Sequence, residues 1–87
     1  MTKSAWRDLW HERITKHQCY CYLCEKPITK QKDFSLDHVI PLSRGGRDEE
    51  SNWQPSHKEC NWEKGSLTDE EYRVWKALEM LRHGHTR

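Results

Sequence analysis

Asp37 and His38 stand side by side in SLDHVIPLSRGGRDEESNWQPSHKECNWEK, residues 35–64, and Asn52 and Asn61 follow within the same stretch. Hydrolysis of a phosphodiester needs a nucleophilic water, charge stabilisation at phosphorus and a stabilised leaving oxygen. A hard cation such as Mg2+, held by a carboxylate and an amide oxygen, supplies the last two. A histidine titrating near neutrality supplies the first as general base. Asp37, Asn61 and His38 match those roles by type. Each also has a bland reading, because Asp-His is a common dipeptide and an asparagine beside a helix is commonly a cap. Type and spacing alone leave the two open.

A second set of residues points to zinc. Cys21 and Cys24 have Cys-x-x-Cys spacing and are followed by a polar turn and Pro27, the form of a zinc knuckle in which one tight turn supplies two thiolates. A redox pair would want a helix directly after it, which Pro27 opposes. His57 and Cys60 are three apart, so on a helix they share one face. The two pairs together make a Cys3His set, which is closed to water and substrate and therefore structural. Cys19 is spare, and it could replace Cys21 as ligand.

Several elements must position these groups. Ser4 is the expected N-cap of a first helix running to about His17, whose Trp6, Leu9, Trp10 and Ile14 recur at helical spacing as a packing face. Phe34 to Ile40 reads as a strand closed by Pro41. Neighbouring strand residues point to opposite faces, so Asp37 and His38 can serve one site only at a strand end. Leu42 to Ser51 reads as a polar loop in which Gly45 and Gly46 allow backbone conformations closed to other residues, and Asp48, Glu49 and Glu50 form a solvated face. Asn52 to Pro55 is a second strand, and a helix or turn starts at Ser56 and ends at Gly65. On that helix Asn61 lies about 100° from Cys60, off the zinc face, with Lys64 on the side of Asn61. A final helix opens with the capping box Thr68 and Glu71, buries Val74, Trp75, Leu78 and Leu81, and ends near Arg82 and His83 before Gly84. Trp53 and Trp62 are expected in the core.

An 87-residue chain is expected to form one domain over residues 1–87, burying about 60 to 65% of the surface it exposes unfolded. One third of its residues are hydrophobic and one third charged, so a staple such as zinc is expected. Its first ten residues contain Lys3, Arg7 and Asp8 and no apolar run, which argues against a secretory signal and for a reducing, cytoplasmic setting in which paired cysteines hold metal. No stretch has the length of a membrane span. The net charge of +1 gives no general polyanion-binding signal. Residues 31–50 carry three Lys/Arg against five Asp/Glu, an acidic excess where a cation would sit.

Asp37-His38-Val-Ile-Pro41, Gly45-Gly46, Asn52-Trp53 and Cys60-Asn61-x-x-Lys64-Gly65 resemble the HNH endonuclease motif of the ββα-metal superfamily, over roughly Cys21 to Gly65. The resemblance implies an α+β fold, a zinc-stapled hairpin with a long loop and then a helix, flanked by terminal helices. It implies metal-dependent DNA cleavage leaving 5'-phosphate and 3'-hydroxyl ends. His38 would be the general base, Asp37 and Asn61 the ligands of a catalytic Mg2+ or Mn2+, and Asn52 a brace for the loop. Cys21, Cys24, His57 and Cys60 would hold structural Zn2+, with His57 in place of the more usual cysteine. Asn61 stands where the second histidine can be, an H-N-N variant. Small members of the family often act beside phage or mobile-element proteins. For Arg44 and Lys64, phosphate contact stands beside a solvated surface charge; for Arg47 the surface charge is favoured. His11, His17, His83 and His85 receive no role. The competing expectation is a zinc-stabilised module that binds nucleic acid or protein without catalysis.

Overall fold

A computed structural model describes residues 2–82. Its elements are α1 (Lys3–Thr15), β1 (Phe34–His38), β2 (Trp53–His57), α2 (Lys58–Lys64) and α3 (Asp69–Arg82), an α+β arrangement around one two-stranded antiparallel sheet. His83, Gly84 and His85 lie outside the described residues.

The N-cap of α1 is Thr2, whose hydroxyl accepts from Ala5 N–H at 3.1 Å, and Ser4 is already inside the helix. Both residue types cap well, and the choice one half-turn earlier is made by the chain's entry. The helix closes without glycine. His17 adopts φ 58°, with His17 N–H on Ile14 O and Gln18 N–H on Arg13 O, a Schellman closure that returns the chain towards the cysteines. As its spacing predicted, α1 packs through Trp6 and Ile14, and Trp6 meets Phe34 and Trp53 at centroid distances of 6.3 and 5.9 Å. His11 sits edge-on to Phe34.

Strands β1 and β2 pair from Phe34↔His57 to His38↔Trp53. β1 begins at Phe34 as predicted but stops at His38, not Ile40, and β2 runs from Trp53 on through Ser56 and His57 into α2. Ser56 is thus a buried strand residue, its hydroxyl 2.9 Å from that of Ser35, and not the helix cap. The loop between the strands folds back on itself. Gly45 adopts φ 88°, and a Cβ at Gly46 would come within 1.8 Å of Ile40 O, so that position admits only glycine.

Side chains of the cysteine-bearing turn and of the hairpin build the core: Cys19, Cys21, Leu23, Ile28, Phe34 and Trp53, with Trp6, Ile14 and Tyr72 from the helices. The capping box of α3 forms in both directions, Thr68 N–H to Glu71 Oε1 and Glu71 N–H to Thr68 Oγ1. Two expectations about packing fail. The apolar stripe Val74, Trp75, Leu78 and Leu81 is exposed, because α3 docks through Tyr72: Val74, Leu78 and Leu81 fall well away from it around the helix, and Trp75, at the edge, stacks on Tyr72. Trp62 is 87% exposed and outside the core, because the inward side of α2 is taken by Cys60, Asn61 and Lys64.

Candidate metal centre and polar cavity

The knuckle and the start of α2 meet at one point. Cys21, Cys24, His57 and Cys60 place their ligand atoms within 4.8 Å of one another. Four ligands about 2.0 to 2.3 Å from a central ion are spaced that way, so the residues fit a tetrahedral zinc. The knuckle turn is set by Glu25 at φ 65°, whose N–H bonds Cys21 O, and Cys21 N–H bonds Lys26 O. His57 Nε2 donates to Pro27 O at 3.2 Å, which directs the lone pair of Nδ1 at the thiols, with Cys24 Sγ at 3.3 Å. Burial alone would push the Cys21 thiol up, yet N–H groups of Cys24, His57 and Leu23 outweigh it and hold its pKa below the ordinary value. Burial pushes the Cys24 and Cys60 thiols up, and the neighbouring sulfurs raise Cys60 further. Cys19 is outside the cluster and fully buried, and burial lifts its thiol to about 11. The other three cysteines and His57 converge without it, so the alternative in which Cys19 replaces Cys21 loses its support.

On the other side of the hairpin, Leu36, Asp37, His38, Pro41, Leu42, Asn61 and Gly65 line a cavity of about 250 Å3. Asp37 and His38 face one cavity because β1 ends at His38, the strand-end condition the sequence demanded. Asp37 is buried; its Oδ2 accepts from the Tyr22 hydroxyl and from Lys64 Nζ at 3.1 Å. Both donors use the same oxygen, which leaves Oδ1 for a ligand. Asn61 Nδ2 donates to Ser35 Oγ and Leu36 O, so the amide oxygen is the end turned from the strand. A carboxylate oxygen and an amide oxygen on one polar cavity are donors that suit a hard divalent cation.

Lys64 is not a surface charge. Its side chain is wholly buried, with Nζ on Asp37 and, at 2.9 Å, on His38 O. That pair ties α2 to the end of β1, and both side chains are buried. Lys64→Met is expected to cost about 3 to 5 kcal/mol by leaving the Asp37 carboxylate uncompensated. Urea unfolding of the zinc-loaded protein measures it, and unchanged stability would show that the pair is not formed in solution. Arg44 is likewise engaged, in a two-pronged pair with Glu71 at 2.8 and 2.9 Å that joins the loop to α3. That pair holds the Glu71 carboxyl down at about 2. Arg47 is exposed.

Asn52 is buried. Its Oδ1 accepts Ile40 N–H at 2.9 Å and its Nδ2 donates to Ile40 O and Arg47 O, which are the bonds of a loop brace. Sequence reasoning missed Asp48, read as part of a solvated face. Asp48 Oδ1 lies 2.9 Å from His38 Nε2 and 3.1 Å from Trp53 Nε1, and Oδ2 pairs with Lys3 Nζ at 2.7 Å. The bond to His38, then that to Lys3, holds the Asp48 carboxyl well below the usual carboxylate range. Only the folding-back of the glycine loop brings it to His38, so the acidic run itself carried no such signal.

Residues 21–74, more than half of the chain, match a family model described as HNH endonuclease. No curated protein matches the chain.

Proposed function

Because the chain belongs to the HNH endonuclease family, we propose that it hydrolyses DNA phosphodiester bonds in a metal-dependent reaction, with His38 as general base. The observation that carries this reading is the convergence of Asp37, His38 and Asn61 on one cavity, set apart from the four zinc-type ligands.

Asp48 is ionised and can only accept, so His38 Nε2 carries the proton of their hydrogen bond and Nδ1 keeps the lone pair. Nδ1 then takes the proton from the attacking water. Asp48 steadies the ring as the imidazolium forms. Asp37 Oδ1 and the Asn61 amide oxygen would hold the divalent cation, which when bound supplies charge stabilisation at phosphorus and at the leaving oxygen. Lys64 and Tyr22 fix the Asp37 carboxylate from behind. Asn52 keeps the loop that carries Asp48 closed over His38. Cys21, Cys24, His57 and Cys60 would hold a structural zinc at the start of the helix that presents Asn61, an ion whose binding stabilises a small core.

The test is conversion of supercoiled plasmid to nicked or linear form by the zinc-loaded protein in Mg2+ or Mn2+, with end-labelling of the products. The expected ends are 5'-phosphate and 3'-hydroxyl; plasmid left intact in every metal would leave a non-catalytic zinc module. Asp48→Asn is expected to slow cleavage about 10-fold or more, lowering kcat with KM little changed, as loss of ring orientation in the reacting state would. An unchanged kcat would remove Asp48 from the mechanism.

A further inference from the structure

Single exposed hydrophobic residues are ordinary on protein surfaces, so the position of Trp62 matters more than its exposure. Among the described residues it is the most exposed of the large apolar side chains, and it follows Asn61 directly on α2. At about 100° per residue, Lys58 falls between Asn61 and Trp62 around the helix, Glu59 lies about 60° to the other side of Trp62, and Gly65 caps the helix end. Asn61 and Gly65 line the cavity. The strip from the cavity to Trp62 therefore runs past an exposed lysine. Side chains on a helix lean towards its N-terminus, which leans the indole towards the turn of Lys58 and Glu59. On the opposite rim stand Pro41 and Leu42, the latter 52% exposed.

Charge near the cavity is scarce by comparison. Lys64 is buried on Asp37, Arg44 is held by Glu71, and the chain carries a net charge of only +1. Affinity for a rigid duplex comes mainly from cations on phosphates, and this rim offers few. What it offers is an open π face with one cation beside it. A base stacked inside a duplex cannot reach such a face; an unpaired base can, with its phosphate near the lysine.

We propose that Trp62, backed by Lys58, is a nucleobase-stacking site on the rim of the Asp37, His38 and Asn61 cavity, so that the preferred nucleic acid presents a single-stranded nucleotide there. The proposal rests on the nuclease reading for its ligand class, and its test is binding without cleavage. Zinc-loaded protein is titrated, with no other divalent ion, into a fluorescein-labelled 12-nucleotide single strand and into the same sequence as a duplex. The wild type is expected to bind the single strand about 10-fold or more tightly than the duplex. Trp62→Ala is expected to lose about 10-fold to 100-fold on the single strand, and Trp62→Phe to keep most of the affinity. Because the residue is exposed, fold and zinc content stay unchanged. Equal single-strand binding by Trp62→Ala, a preference for duplex, or no binding to either probe overturns the proposal. If Trp62→Ala binds normally while the wild type cuts plasmid, the stacking site falls and the nuclease reading stands. If the stacking effect is seen and plasmid stays intact, the reverse holds.

Discussion

Cys24→Ser will leave the domain unfolded. The four ligands join the knuckle, the end of β2 and the first turn of α2, and those segments carry much of the core: Cys19, Cys21, Leu23 and Ile28 are buried around them. Free energies of structural zinc binding run to about 10 to 16 kcal/mol, whereas a small domain is stable by about 5 to 15 kcal/mol. Removal of one thiolate from such a set therefore exceeds what the rest of the fold can absorb. Burial raises the Cys24 and Cys60 thiols, so an ion that draws them as thiolates adds an attraction that the protonated pair lacks. Circular dichroism with zinc analysis checks it. A folded, zinc-free Cys24→Ser protein would refute the Cys3His staple.

His38→Ala is the second large effect, and it falls on rate and not on fold. General-base catalysis contributes about 10²-fold to 10⁴-fold, so single-turnover cleavage should drop by that factor. The imidazole is bonded to Asp48 at the cavity edge and its backbone carbonyl, which accepts from Lys64, survives the substitution. Stability is thus expected to change little. Retention of full rate by a correctly folded His38→Ala protein would place the base elsewhere.

Much of this architecture was legible because short-range chemistry dictates it. Cys-x-x-Cys before a proline, and His57 three residues from Cys60, specify two half-sites that only one ion can join, and the structure brings them within reach. Thr68 and Glu71 cap a helix through bonds local to one turn, and they form as read. What stayed hidden depends on contacts distant in sequence. Nothing about Lys64 announces that its ammonium is buried against Asp37, and nothing about Asp48 announces His38; both pairings exist only once the loop and hairpin have closed. Periodicity identified the apolar stripe of α3 correctly but could not say which side docks, and Tyr72 took the place assigned to Val74 and Leu78. Trp62 was misplaced for a related reason: a large aromatic beside a motif favours burial by type, while the inward positions of α2 were already filled by the motif's own residues.

The most direct test of the enzymatic reading is a plasmid assay that compares zinc-loaded wild type with zinc-loaded His38→Ala, across Mg2+ and Mn2+ and with both proteins shown to be folded. Nicked or linear product from the wild type, strongly reduced for His38→Ala, is the expected result; two folded proteins equally inert in every metal, or equally active, would contradict it.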